Sequence, residues 1–225
     1  MKLLKPVLAA LFLVMPVAGT ATTVDFSENF GGSLSAGDVL TDFDFGEGLT
    51  GAVTTSDLGS YATGDAVIFD TIGPNAGTAN DPDLAGPFEN VADSSDEREF
   101  GNALILQERR ESDPDDARNG GAITFTFDTL IHLTSLSILD GNDNSPTGGS
   151  LFLDGILFAT NLGGGDNQFQ TTVLDVFVTS FTVDFAGSGA IGEFTAAAVP
   201  LPSGILLLLG ALGGLGVVRR RRKVA

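Results

Sequence analysis

The stretch Ala122-Ile123-Thr124-Phe125-Thr126-Phe127-Asp128 decides the fold. Ile123, Phe125 and Phe127 share one face of an extended chain, and Thr124 and Thr126 share the other. Side chains alternate across a strand, so this pattern marks a strand with one buried face. A helix needs apolar residues three and four apart, and that spacing is nearly absent between residues 22 and 198.

The same reading extends in both directions. Leu133–Leu139 follows, with Ser135 and Ser137 opposite Leu136 and Ile138. Upstream, Val39–Phe45 alternates, with Val39, Phe43 and Phe45 expected inward. Ala66–Phe69 and Ala103–Leu106 are short, nearly continuous apolar runs, the pattern of strands buried on both faces. Downstream, Leu151–Phe158 holds Asp154-Gly155 between two apolar triplets, a strong hairpin signal. Phe169–Val173 and Val176–Phe185 complete the set, and in the latter Phe177, Phe181, Val183 and Phe185 are expected on one face. About nine strands with regular turns predict an all-β fold, an antiparallel β-sandwich or jelly roll. A parallel α/β fold would need crossover helices, and no segment supplies them. The core is expected from phenylalanine, 17 of 225 residues. Residues 73–121 differ: with Pro74, Pro82, Pro87 and Pro114 and many acids they predict two long loops around Ala103–Leu106, the place expected for a binding site.

Charge and composition narrow the function classes. The chain has no cysteine, which excludes disulfides, thiol catalysis and thiolate zinc sites. All 29 acids lie between Asp25 and Glu193, where only Arg98, Arg109, Arg110 and Arg118 oppose them, leaving about −25 in the middle. Such a surface repels phosphate backbones, so no nucleic-acid partner is expected. It suits divalent cations or a salty medium.

The two ends carry addresses. Lys2 and Lys5 precede the apolar run Val7–Val17, and the small residues Ala18, Gly19, Thr20 and Ala21 follow. This is the pattern of a secretory signal peptide over residues 1–21, with cleavage after Ala21 and a domain over 22–198. At the other end, Leu201–Val218 is apolar and near the shortest length that crosses a membrane as a helix. Arg219, Arg220, Arg221, Arg222 and Lys223 then stop transfer and stay on the cytoplasmic side.

Val199, Pro200, Leu201, Pro202, Ser203 and Gly204, followed by the apolar Gly-rich span and the arginine cluster, resemble the VPLPA-CTERM sorting signal of the wider PEP-CTERM class of Gram-negative bacteria. The resemblance covers residues 199–225; Ser203 stands where the family usually has Ala. It implies processing by an exosortase-type membrane protease–transferase near the proline motif. It also implies delivery to the cell surface or extracellular matrix, often alongside exopolysaccharide. A second resemblance, over roughly residues 37–185, is to the β-sandwich domain of many PEP-CTERM-class surface proteins. It rests on Ala66–Asp70, Asn80–Leu84, Leu104–Glu108, Gly120-Gly121 and Leu139-Asp140, and implies a fold more than an activity.

Calcium is the ligand these acids suit best, since it takes six to eight oxygens. Asp70, Asp81, Asp83 and Asp140 stand at strand ends or in proline-rich loops, where oxygens from separate segments converge. The competing reading is that they are turn residues and solvated faces. Asp140–Asn144 opens like an EF-hand loop, but Ser145 and Leu151 occupy the positions needing Gly and Glu, so it is not one. Gly163-Gly164-Gly165-Asp166 reads as a turn. His132 is the only histidine, and nothing in the sequence marks a nucleophile to accompany it. With no Trp and one tyrosine, Tyr61, an aromatic sugar platform is not expected. The arginines at 98–118 either contact an acidic polysaccharide or pair with nearby acids such as Glu97, Glu99, Glu108 and Glu111. The sequence therefore points to an exported, non-enzymatic surface or matrix protein. A binding module for exopolysaccharide or another carbohydrate is the alternative, and an extracellular hydrolase the third.

Overall fold

The computed structural model describes residues 19–56, 62–72, 84–108, 114–141 and 148–200. These residues are all-β, with fourteen strands and no helix among them. In chain order the strands are β1 (Thr22–Val24), β2 (Glu28–Asn29), β3 (Gly32–Ser33), β4 (Asp42–Asp44), β5 (Thr50–Ser56), β6 (Ala62–Asp70) and β7 (Phe88–Asn90). They continue with β8 (Asp93–Arg98), β9 (Asn102–Glu108), β10 (Gly121–Leu139), β11 (Gly149–Leu153), β12 (Ile156–Leu162), β13 (Gln168–Phe185) and β14 (Ala190–Ala198).

The spine is the antiparallel pair β10–β13, which runs from Gly121 opposite Phe185 to Leu139 opposite Phe169. Along its other side β10 meets two different strands: β5 takes Ala122–Phe127 and β14 takes Ile131–Leu139. β13 divides its partners in the same way. Its C-terminal half carries β11, and β12 beyond it; its first residues carry β7, in a two-residue contact that is parallel. β14 continues to β9 and β6 and also carries β1. The remaining ladders are antiparallel.

The spine carries a bulge midway. Thr126 pairs with Ser180 and Ile131 with Val178, so four residues of β10 stand opposite Thr179 alone. Extra residues on one strand bend it and shift the alternation of faces. The Asp154-Gly155 turn fastens the partner side. Both residues have positive φ, 46° and 77°, as a tight two-residue hairpin requires. Asp154 Oδ1 accepts hydrogen bonds from the amides of Thr179 and Ser180, each at 2.9 Å, and from both hydroxyls, at 3.0 and 3.3 Å.

The main core is aromatic. Phe125 lies 4.8 Å from Phe181 and 5.3 Å from Phe194, ring centre to ring centre, and Phe43 lies 5.2 Å from Phe127. Ring pairs at such distances contribute about 0.5–1.5 kcal/mol each beyond the area they bury. A second cluster of Val67, Phe69, Leu84, Phe88, Phe100, Ala103, Ile105, Leu139, Phe169 and Ala190 takes the alternate residues of β6 and β9. Ala66, Ile68, Leu104 and Leu106 of the same strands belong to the main core. Burial on both faces explains why Ala66–Phe69 and Ala103–Leu106 read as unbroken apolar runs.

The sequence reading needs four corrections. The expected strands at 122–128 and 133–139 are one long strand with register shifts, and those at 169–173 and 176–185 are another. Phe177 points outward, away from buried Phe181, Val183 and Phe185, because the register shift flips the alternation between them. Val39 is exposed and Leu40 is buried: only Asp42–Asp44 joins the ladder, and Val39 makes one isolated bridge to Val67. Finally, residues expected to be loop form the β7–β8 hairpin, whose Phe88 helps to cover the second cluster.

Candidate functional site

A wholly buried carboxylate stands where β10 ends. Asp140 follows Leu139 with φ 52°, a left-handed conformation that Asp tolerates better than most residues. Its side chain is wholly buried. Its Oδ1 accepts the Asn167 amide at 3.0 Å, and its own amide donates to the Gln168 carbonyl at 2.8 Å. Beside it, a Cβ on Gly141 would stand 2.2 Å from the Leu162 carbonyl oxygen, and one on Gly163 would stand 2.6 Å from the Gly141 Cα. Glycine alone permits this approach. Gly189 lies against Gly141 as well, and its amide donates to Oδ2 of buried Asp116. Asp116 and Asp140 thus flank a contact of three glycines, each holding a backbone amide. Buried acids need such donors, because an unsolvated charge is costly.

Asp70 ends β6, and its Oδ1 accepts the Ile72 amide at 2.9 Å. β9 and β14 separate β6 from β10, so Asp70 and Asp140 are three inter-strand spacings apart, about 14 Å across the sheet. One ion does not reach both. Asp81 and Asp83 lie outside the described residues. Among the described residues no group of three or more His, Asp or Glu side chains is placed to hold a metal.

The β7–β8 hairpin supplies a bidentate ion pair. Arg98 donates Nη1 to Glu193 Oε1 at 2.7 Å and Nη2 to Oε2 at 2.6 Å, and its guanidinium lies 4.5 Å from the Phe100 ring centre. The side chains are 43% and 12% exposed. Arg98 therefore pairs with an acid 95 residues away, and not with its neighbours Glu97 or Glu99. A signal for this existed: Glu193 is a single acid within the apolar run Ala190–Ala198, where a charge needs a cation. Arg118 donates its backbone amide to Glu108 Oε2 at 3.4 Å. Arg109 and Arg110 lie outside the described residues.

His132 lies within β10, with Nε2 2.6 Å from Asp175 Oδ1 and its ring stacked 4.6 Å from Phe177. These residues form an outward-facing cluster on β10 and β13, made possible by the shift that exposes Phe177. Asp154 and Asp93 have lowered pKa. Slight burial raises that of Asp154, but the hydrogen bonds from Thr179 and Ser180 outweigh it and hold the group low. Asp93, fully exposed, is held low by the hydroxyl and amide of Ser95. A cleft of about 240 Å³ runs along β1, lined by Thr22–Glu28 and Phe45. It falls below the roughly 300 Å³ at which ligand pockets usually begin.

The segment expected to carry the sorting motif, Val199–Gly204, begins where β14 stops. The Val199 amide donates to the Leu130 carbonyl at 2.9 Å, and Pro200 is exposed. Leu201, Pro202, Ser203, Gly204 and the basic cluster Arg219–Lys223 lie outside the described residues, as do residues 1–18 of the expected signal peptide. Among the described residues no helix is long and apolar enough to cross a membrane. No protein-family model matches the chain, and neither does any curated protein.

Proposed function

We propose that the chain is an exported, non-enzymatic protein of the cell surface or extracellular matrix, sorted through its C-terminal segment. In this reading residues 1–21 are removed and 201–218 hold the precursor in the inner membrane. An exosortase-type enzyme then acts at Val199–Gly204. One observation carries the reading beyond the sequence. β1 pairs with β14, so that a Cβ on Gly19 would stand 2.8 Å from the Ala198 carbonyl. The two ends of the described body therefore lie together, the arrangement that suits a domain exported behind a leader and then carried on a tail.

The finer architecture belongs to the same proposal. Two sheets of a β-sandwich face each other, and β10 and β13 pass from one into the other. What supports this is their change of neighbours midway and the phenylalanine contacts that link β10, β13 and β14. Calcium is proposed as a stabilising ion at Asp140 or at Asp70, each completed by oxygens of its own neighbourhood.

Intact-mass analysis of the protein recovered from cells and from medium tests the sorting. The expected masses correspond to a start near Thr22 and a C-terminus within residues 199–204. A full-length chain in the cytosol, with both ends intact, would end the proposal. Thermal melts with calcium and with chelator test the ion: a higher midpoint in calcium, removed by Asp140→Asn or Asp70→Asn, is expected.

A further inference from the structure

β14 is the last strand among the described residues, and the expected processing segment, 199–204, follows it without a spacer. β14 is laddered on both sides, to β10 along one edge and to β9 and β1 along the other. Ala190, Ile191, Phe194 and Ala196 are fully buried. The Val199 amide carries the ladder one residue further, donating to the Leu130 carbonyl at 2.9 Å. There the ladder stops, for a reason built into the spine. Only Asp128 and Thr129 separate Leu130 from Phe127, and from Phe127 back to Ala122 the flank of β10 belongs to β5. Thr50 Oγ1 donates to Asp128 Oδ2 at 2.7 Å and holds the start of β5 in that place. Pro200 is accordingly exposed, and it has no amide hydrogen to offer a further strand.

We infer that the sheet itself fixes the processing bond: the fold shields the chain through Val199 and confines cleavage to the bonds within residues 201–204. The inference rests on the sorting reading above and narrows it. A protease takes extended chain whose backbone groups are free to pair in its cleft, and residues held between two strands are not free. Cutting at or before Val199 first requires pulling β14 from the sheet. That breaks the contacts of Phe194 with Phe125, Phe127 and Phe181. Opening a core strand costs nearly as much as unfolding the whole body, so the open form is rarely there to be cut. Beyond Pro200 no such cost applies. The peptide C–N bond that breaks leaves its carbonyl carbon on the body, where water adds, and its nitrogen, taking up a proton, on the released tail. The cut body keeps β14 whole.

A broad-specificity protease separates this inference from the sorting reading. Proteinase K in limiting amount is added to the full chain in detergent, and the C-terminus of the surviving body is read by mass spectrometry. The body is expected to end at Pro200 or beyond, with residues 190–199 uncut. With Gly-Ser-Gly-Ser inserted between Ala198 and Val199, cuts are expected inside the insert, because free chain now begins before the motif. Early cuts within residues 190–199 of the native chain would overturn the inference. So would an insert that stays uncut, because protection would then not depend on distance from the sheet. In cells the product is expected to end within residues 201–204, and one ending at Val199 or earlier would also overturn it. A tail left uncut in cells sinks the sorting reading alone, and the protease result then decides whether the sheet shields the chain.

Discussion

β8 and β12 are both outer strands, each laddered along one side only, yet they meet solvent in opposite ways. β8 reads Asp93-Ser94-Ser95-Asp96-Glu97-Arg98, is exposed along its whole length, and carries four charges in six residues. Charged edges resist pairing with a neighbour, so β8 is a closed end of the sheet. β12 carries none. The two are also fastened differently. β8 is locked to the body by the Arg98–Glu193 pair, which spans 95 residues, with Phe100 beneath the guanidinium. β12 is held through its turn, where Asp154 grips Thr179 and Ser180 of β13 opposite the bulge of β10. One edge is anchored by ionic contact and defended by charge; the other is anchored by hydrogen bonds and left open.

The largest expected effects concern the cores beneath the two edges. Phe181→Ala, at a fully buried position touching Phe125 and Phe194, should cost about 4 kcal/mol. Phe100→Ala, in the smaller cluster under β8, should cost about 3 kcal/mol or less. Urea unfolding measures both, and the reverse order would mean that the second cluster carries more of the fold than its size suggests.

Next is the ionic lock. Arg98→Ala leaves Glu193 in its largely buried place without a cation and should cost about 2 kcal/mol, less than for a wholly buried pair because Arg98 is partly solvated. Adding Glu193→Gln should recover part of that loss, a coupling read from a double-mutant cycle. Simple additivity of the two changes would break the assignment.

The two lowered carboxyls separate long-range from local fastening. A carboxyl with a depressed folded pKa contributes stability that is complete above its unfolded value, 3.8, and is lost as pH falls through the lower folded value. The Asp154 donors lie 25 and 26 residues away and exist only in the fold, whereas the Asp93 donor is Ser95, two residues on. Asp154→Ala should therefore flatten the loss of stability below pH 4, and Asp93→Ala should leave that limb in place. Acid titrations followed by circular dichroism compare them.

The smallest effect on stability is expected at the open edge. Leu157→Lys should change unfolding free energy by no more than about 0.5 kcal/mol, because the side chain is already solvated. A large loss would show that β12 is held by more than its turn.

What the sequence determined by itself follows from local chemistry. Ile123–Phe127 alternates and is a strand; Asp154-Gly155 sits between apolar triplets and is a hairpin; Ala66–Phe69 and Ala103–Leu106 are unbroken and are buried on both faces. Each signal lies within a few residues, where side-chain periodicity and turn conformation are set. The terminal segments are legible on the same grounds, as runs of apolar and basic residues. Only the tertiary structure decided the rest. Phe177 and Val39 changed face because register shifts and broken ladders depend on the partner strand, which no local pattern contains. The sequence offered Asp140 as a candidate, but its burial beside Gly141 depends on the close approach of Gly163 and Gly189 from distant turns. Arg98 found Glu193 across 95 residues because β14 brings that acid under the hairpin. Contacts of this kind come from chain closure, and closure is a property of the packed whole.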